Sequence, residues 1–268
     1  MSNKHILLVF LVMLVALSSC SKFLDKAPLD KLTPDQAFSN ENNLKLYVNS
    51  FYAQMLPDGP TIYKGDVMAD ITVPNSVPTY ISGKLSSQDA TGWSCGNLRN
   101  VNYFLEHYNN PVIPIKVRNH YAGIARFFRA LFYYQMVKQF GDVPWYNKTL
   151  KVDDPDIYKP RDSRLAVMDS VLSDLNFACN NIYDTKDNSC TQVTKWVALA
   201  YKSRICLFEG TFRKYHTEYA LSGADKWLLE SSNAAELLIK SAQYKLQNTG
   251  NPDKDYRSLF ISENPVSN

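Results

Sequence analysis

The chain has 268 residues, which allows one large domain or two small ones. Its 45% hydrophobic and 21% charged residues argue against a disordered chain and a polytopic membrane protein. The net charge of +3 gives no electrostatic case for nucleic-acid binding. Aromatic residues are numerous, with 17 Tyr, 13 Phe and 4 Trp, and they suit a surface that stacks on and hydrogen-bonds a partner.

The first twenty residues have the pattern of an export signal. A basic start precedes an apolar run over residues 6–17, which ends in two serines directly before Cys20. Because this run is too short to span a bilayer, it predicts a signal peptide over residues 1–19. The order Leu-Ser-Ser-Cys is similar to a bacterial lipobox, which predicts acylation of Cys20 as the new N-terminus. An ordinary signal peptide with a coincidental cysteine is the alternative.

A short tether and one helical domain follow the signal. Residues 20–32 carry mixed charges without periodicity and are predicted to be the lipid-anchored tether. The domain is predicted over residues 33–268. Thr33 and Gln36 flank a proline in the pattern of a capping box, which predicts a helix or helix pair to about residue 56.

The next segment, residues 57–92, is the candidate binding region. Its prolines and glycines and its lack of periodicity predict a long irregular loop, and such loops are usually functional or mobile. Tyr63, Tyr80 and Trp93 lie in or beside it, where no regular element requires them as core. Such rings can stack on the apolar faces of sugars, and Asn97 is within reach to bind hydroxyls. An equally weighted alternative is that Trp93 packs the loop onto the core.

Helical periodicity then continues through most of the chain. The 115–140 helix shows two apolar stripes, which predict that it is sandwiched between neighbours, and Gly141 is predicted to end it. Arg126 and Arg129 on this helix are expected to pair with carboxylates or carbonyls rather than with a ligand. Residues 250–268 show no closing element. The predicted helices span about residues 96–109, 115–140, 163–182, 191–212 and 224–242.

The helices also show a loose internal repeat. Phe140-Gly141 and Glu209-Gly210 are each predicted to close a long helix, and they lie 69 residues apart, near twice the roughly 34-residue tetratricopeptide period. The sequence therefore predicts an all-α fold, a tetratricopeptide-like array of helical hairpins with a long irregular loop segment. Generic helical hairpins are the alternative.

The sequence contains none of the common phosphate-binding, nucleophile-elbow or zinc-protease motifs. No cysteine pair has metal or redox spacing, so no metal, no cofactor and no catalytic residue is predicted. Cys179 and Cys190 flank a polar loop, and either a disulfide or two free thiols is compatible with the sequence. A glycosidase would need two neighbouring carboxylates, for which Asp66 and Asp70 are the pair to inspect, although loop solvation explains them more simply.

Several strings, taken in order, resemble the SusD/RagB family. The strongest are LRNVNYFL at residues 98–105, YAGIARFFRAL at 121–131 and QFGDVP at 139–144. Shorter matches occur at residues 20–25, 160–163, 174–175, 194–200 and 207–212.

The resemblance implies a surface lipoprotein of the outer membrane of Bacteroidetes-type bacteria with a tetratricopeptide-like scaffold. Such proteins bind glycans, or peptides in some branches, and cover a SusC-like TonB-dependent transporter; they are not enzymes. Family members are close to double this length, so the chain is expected to lack the C-terminal half of the family fold. The alternative functions are a tetratricopeptide-type adaptor that binds protein and a surface glycosidase.

Overall fold

The computed structural model describes residues 33–63, 75–77, 79, 81–84, 86, 88 and 91–262. The predicted signal peptide, Cys20 and the tether to residue 32 lie outside the described residues, as do Asp66 and Asp70. Within the described part, the secondary structure is helical, and its only β-type pairing is an isolated antiparallel bridge between Val143 and Asp162. The all-α prediction is confirmed.

The helices follow the predicted order. The chain divides into a unit of residues 1–37, which holds α1, and a unit of residues 38–268, which holds the other helices. The α-helices are α1 Pro34–Ala37, α2 Glu41–Met55, α3 Gly59–Tyr63, α4 Gly96–His107, α5 Ile115–Phe140, α6 Arg164–Asn181, α7 Lys195–Tyr215, α8 Ala224–Lys240 and α9 Pro252–Ile261.

Local capping signals form as predicted. The backbone N–H of Thr33 donates to Oε1 of Gln36 at 3.1 Å, and the N–H of Gln36 donates to Oγ1 of Thr33 at 3.4 Å. This reciprocal pair is the predicted capping box, and it starts α1. At the end of α5, Gly141 has a φ of 70°, a conformation that glycine adopts without a steric cost.

Helix α5 is the centre of the core. It packs against α2, α4 and α6, and α6, α7 and α8 pack on one another in succession. The two apolar stripes of α5 are therefore both covered, as predicted. Its largest fully buried side chains are those of Phe127, Phe128 and Tyr133.

Two glycines allow helices to approach closely. A Cβ on Gly123 of α5 would lie 2.8 Å from Cγ1 of Ile182, and a Cβ on Gly210 of α7 would lie 2.9 Å from Cδ2 of Leu228. Gly210 thus lies inside α7, and the prediction that Glu209-Gly210 closes a helix is wrong. A glycine is needed at position 210 because α8 packs closely against α7 there. The 69-residue spacing between Gly141 and Gly210 therefore does not relate two helix ends.

The arginines of α5 pair with a buried carboxylate. Arg129 forms two hydrogen bonds with Asp174 of α6, Nε to Oδ2 at 2.7 Å and Nη2 to Oδ1 at 2.8 Å. Arg126 lies farther away, with its Nη1 3.8 Å from Oδ1 of the same carboxylate. Their predicted pairing with protein groups is confirmed.

A second buried ion pair links α6 to α7. Nη2 of Arg164 donates to Oε2 of Glu209 at 2.7 Å, and Nε of Arg213 donates to Oε1 of Glu209 at 2.8 Å. The Glu209 side chain is fully buried, so the two guanidinium groups supply the charge compensation that such burial requires.

Three further outcomes concern the loops and the C-terminal region. The irregular 57–92 segment contains the short helix α3, and residues 250–268, for which no helix was predicted, contain α9. Its sequence signal was Pro252 in the first turn, a favoured helical start. The cysteines of the described region, Cys95, Cys179, Cys190 and Cys206, are all free thiols.

Candidate ligand-binding site

A cavity of about 700 Å³ lies between the start of α4 and the connection from α5 to α6. Helix α4 and the residues just before it supply the floor, and the connection supplies the opposite wall. This volume is within the range of small-molecule sites in proteins. The cavity is lined by Trp93, Cys95, Gly96, Leu98, Arg99, Asn102, Pro144, Tyr146, Lys148, Leu150, Lys151, Val152, Ile157, Lys159, Pro160 and Arg161.

The wall is held in place by a buried amide on α4. Asn102 is 1% exposed, and its Nδ2 donates to the carbonyl oxygens of Tyr146 at 2.9 Å and Lys148 at 3.2 Å. Nη1 of Arg129 donates to Oδ1 of the same asparagine at 3.3 Å. Because each hydrogen-bonding atom of this amide has a partner, the connection is fixed relative to the floor.

Tyr133 gives the wall a second attachment from α5. Its hydroxyl accepts from the backbone N–H of Tyr146 at 2.5 Å and donates toward the carbonyl of Pro144 at 3.3 Å. Burial raises the pKa of Tyr133 well above its ordinary value, so the hydroxyl keeps its proton and remains a donor at physiological pH.

Trp93 stands at the rim of the cavity with 46% of its surface exposed. Its ring makes an edge-to-face contact with Phe140, with centroids 4.9 Å apart. The Arg161 guanidinium lies 5.0 Å from the Trp93 ring centroid. The loop before Trp93 is held by Gln139, whose Nε2 donates to the carbonyl of Thr91 at 2.6 Å. The indole is therefore a supported, partly open aromatic surface.

The other predicted site residues have different positions. Asn97 lies on the first turn of α4, where its Nδ2 donates to the carbonyl of Gln54 at 2.6 Å. It lines a separate cavity of about 210 Å³ that includes Gly92 and Gln139. Tyr63 ends α3, but its side chain lies outside the described residues, and so does Tyr80. Of the two predicted residues whose side chains are described, Trp93 lines the larger cavity and Asn97 does not.

Sequence reasoning missed Tyr146, Arg161 and Arg99 as cavity residues. Tyr146 and Arg161 follow Trp93 by more than fifty positions, and no local pattern relates them to it. The string at residues 160–163 was a family signal, but it carried no information about contact with an aromatic ring.

Cys95 is the cysteine that lines the cavity. Burial raises the pKa of the Cys95 thiol, which keeps it protonated and a poor nucleophile. Among the described residues, no group of three or more His, Cys, Asp or Glu side chains is placed to hold a metal ion. No helix in the described part of the chain is both long and apolar enough to cross a membrane.

Residues 22–207, more than half of the chain, match the SusD-like family described as "Starch-binding associating with outer membrane". The chain belongs to the SusD-like family. It is 26% identical over 274 residues to SusD-like protein P38 of Formosa agariphila, covering 97% of this chain and 50% of that protein. This SusD-like chain thus spans about half the length of the curated relatives it matches.

Solved structures show the same SusD-like fold. A SusD-like protein from Bacteroides fragilis superposes with a TM-score of 0.63 at 24% identity, over 87% of this chain and 44% of that one. A structure described as containing xylogluco-oligosaccharide superposes with a TM-score of 0.57 at 16% identity, over 76% of this chain and 41% of that one.

Proposed function

We propose that this SusD-like chain captures glycans at the cavity beside Trp93. The observation that carries the proposal is a half-exposed indole, held by Phe140, at the rim of a cavity of about 700 Å³. Sugar rings have apolar faces that stack on such indoles, and the surrounding polar groups can bind their hydroxyls. The description of the family as starch-binding and the xylogluco-oligosaccharide in a structural relative support a carbohydrate ligand.

The remaining predicted residues are proposed as secondary contacts. One N–H of the Asn97 amide donates to the Gln54 carbonyl, which leaves the other N–H and Oδ1 for a ligand contact. Tyr63 and Tyr80 belong to the segment before Trp93 and could extend the same binding surface. Their replacement is expected to weaken binding less than replacement of Trp93.

We also propose that the protein is a surface lipoprotein of the outer membrane that delivers glycan to a SusC-like TonB-dependent transporter. In this proposal residues 1–19 are the signal peptide, Cys20 carries the lipid, residues 20–32 are the tether and residues 33–268 are the binding domain. The lipobox-like order before Cys20 and the family description "associating with outer membrane" support the location. Several acyl chains would anchor the protein firmly.

The experiment compares glycan binding by the chain from residue 21 onward with that of two tryptophan variants. Trp93→Ala is expected to weaken binding at least about tenfold, because stacking on an aromatic ring and its burial are lost together. Trp196→Ala is the matched control, since Trp196 lies on α7 outside the cavity lining. Calorimetry measures the affinity of each variant for neutral and acidic polysaccharides and for xyloglucan oligosaccharides.

Equal loss of affinity in both variants would show a general effect on folding, and unchanged affinity in Trp93→Ala would place the site elsewhere. Peptide binding that does not depend on Trp93 would favour the adaptor or the peptide-binding alternative. Glycan hydrolysis by the purified protein would favour a glycosidase.

A further inference from the structure

We propose that the Trp93 cavity selects anionic glycans, meaning sugars that carry carboxylate or sulfate groups. The proposal rests on the proposed function and names the ligand class of the same site. The charged side chains that line the cavity are all cationic: Arg99, Lys148, Lys151, Lys159 and Arg161.

Two of the five cations are neutralised by neighbouring carboxylates. Nζ of Lys148 lies 2.8 Å from Oδ2 of Asp156 and 3.2 Å from Oδ2 of Asp154. Nζ of Lys159 lies 2.7 Å from Oδ2 of Asp162. These ion pairs belong to the wall, and because their charges largely cancel they present little net charge to a bound ligand.

The other three cations, Arg99, Lys151 and Arg161, have no carboxylate within 4.0 Å among the described residues, and all three are exposed. Arg99 donates from Nη1 to the carbonyl of Leu150 in the wall, which holds its guanidinium beside the cavity. Arg161 is held beside Trp93 and also donates to the carbonyl of Phe140 at 3.4 Å. Two of the three charges are thus positioned by protein contacts.

This arrangement favours an anion for two physical reasons. Like charges around one concave surface repel one another, and a bound anion removes that repulsion. Arginine also matches the geometry of carboxylate and other oxyanions through paired N–H donors, and such charge-assisted bonds are stronger than neutral ones.

The position of Arg161 links charge recognition to stacking. The Arg161 guanidinium lies 5.0 Å from the Trp93 ring centroid. A sugar that stacks on the open part of the indole therefore brings its substituents close to this cation. A carboxylate or sulfate on that sugar would therefore be bound, whereas a neutral hydroxymethyl group would leave the cation without an anionic partner.

The test uses the chain from residue 21 onward and matched pairs of probes. The first pair is oligogalacturonate and its methyl ester, and the second is κ-carrageenan oligosaccharide before and after desulfation. A glycan array with both acidic and neutral members identifies any other bound ligand. We expect an acidic member to bind at least about tenfold more tightly than its neutral counterpart, with affinity falling as salt rises. The pair that shows the difference identifies the anionic group.

The variant Lys151→Gln/Arg161→Gln is expected to lose this preference and to weaken binding of the acidic probe at least about tenfold. The control Lys214→Gln/Arg257→Gln makes the same change in net charge outside the cavity lining and is expected to bind as wild type. Lys151→Glu is a second variant, which leaves the Arg161 contact with Trp93 in place. It should weaken binding of the acidic probe and leave binding of the neutral probe unchanged.

Tight, Trp93-dependent binding of neutral glycans without an acidic preference would overturn the anionic inference and leave the proposed function standing. Equal losses of affinity for the acidic probe in the cavity variant and in the control would also overturn the anionic inference, because the loss would then follow from the change in net charge alone. Absence of binding to every glycan, neutral or acidic, would count against the proposed function as well.

Discussion

Arg129 on α5 and Asp174 on α6 form a two-point ion pair in which both side chains are almost fully buried, at 9% and 3% exposure. The same guanidinium also donates to Asn102, the amide that holds the cavity wall through the Tyr146 and Lys148 carbonyls. The core and the cavity are thus connected through consecutive hydrogen bonds.

Asp174→Asn is expected to lower the free energy of unfolding by about 3–5 kcal/mol, because it leaves the Arg129 charge buried without compensation. Equilibrium urea denaturation measures this change. The double variant Arg129→Met/Asp174→Leu should be less destabilised than Asp174→Asn. As a control, Glu236→Gln removes the surface ion pair with Lys240 and should change stability by less than about 1 kcal/mol. A loss in Asp174→Asn no larger than in this control would refute the role given to the buried pair.

Gly210→Ala is expected to destabilise the protein by about 1–3 kcal/mol. The added Cβ would lie 2.9 Å from the Leu228 side chain and 3.0 Å from its backbone nitrogen, so α8 itself has to move. Thermal or urea unfolding measures the effect. Gly59→Ala is the control, since a Cβ at Gly59 would meet nothing within 4 Å. If the two alanine variants were equally stable, the close packing of α7 on α8 would be wrong.

Stability should fall as the pH falls from about 6.5 toward 5. Burial lowers the pKa of His120 from 6.5 to about 4, so over this range the unfolded chain takes up a proton that the folded chain does not. His120 is partly exposed, and after allowance for solvent screening we expect a loss of about 1 kcal/mol. The stabilisation that the neutral His120 imidazole contributes is fully present above the unfolded pKa of 6.5, and it is lost as the pH falls toward the folded pKa of about 4.

The measurement is the urea midpoint as a function of pH between 7 and 5, for wild type and His120→Gln. The imidazole Nδ1 accepts from the N–H of Tyr183 at 3.1 Å, and glutamine can also accept a hydrogen bond but does not titrate. The variant should give a flatter profile, whatever its absolute stability. Parallel profiles would show that another group carries the pH dependence.

The four cysteines of the described region should differ sharply in reactivity toward a thiol reagent. Cys190 is exposed, whereas burial raises the pKa of Cys179 to about 11 and that of Cys206 to about 12. One fast-reacting thiol is expected in the native protein from residue 21 onward, and Cys190→Ser should remove it. The buried thiols should react only on unfolding. Absence of the fast phase in wild type, with its appearance after reduction, would indicate a disulfide at Cys190.

Much of the helical order could be predicted from neighbours along the chain. The capping pair of Thr33 and Gln36, the positive φ of Gly141 and the two apolar stripes of α5 all depend on groups within a few residues of one another. Because hydrogen bonding and side-chain spacing in a helix are local, such signals can be detected before the tertiary structure is known. The charge of Arg129 likewise required a partner, although its identity was open.

Contacts between distant residues were accessible only from the folded chain. The partner of Arg129 lies 45 positions away, and the residue that excludes a side chain at Gly210 lies on the next helix. Trp93 was recognisable as a candidate, but its association with Tyr146, Lys151 and Arg161 in one cavity arises because α4 packs beside the connection between α5 and α6. Sequence spacing contains no distance across such an interface, since packing of whole helices determines which side chains meet.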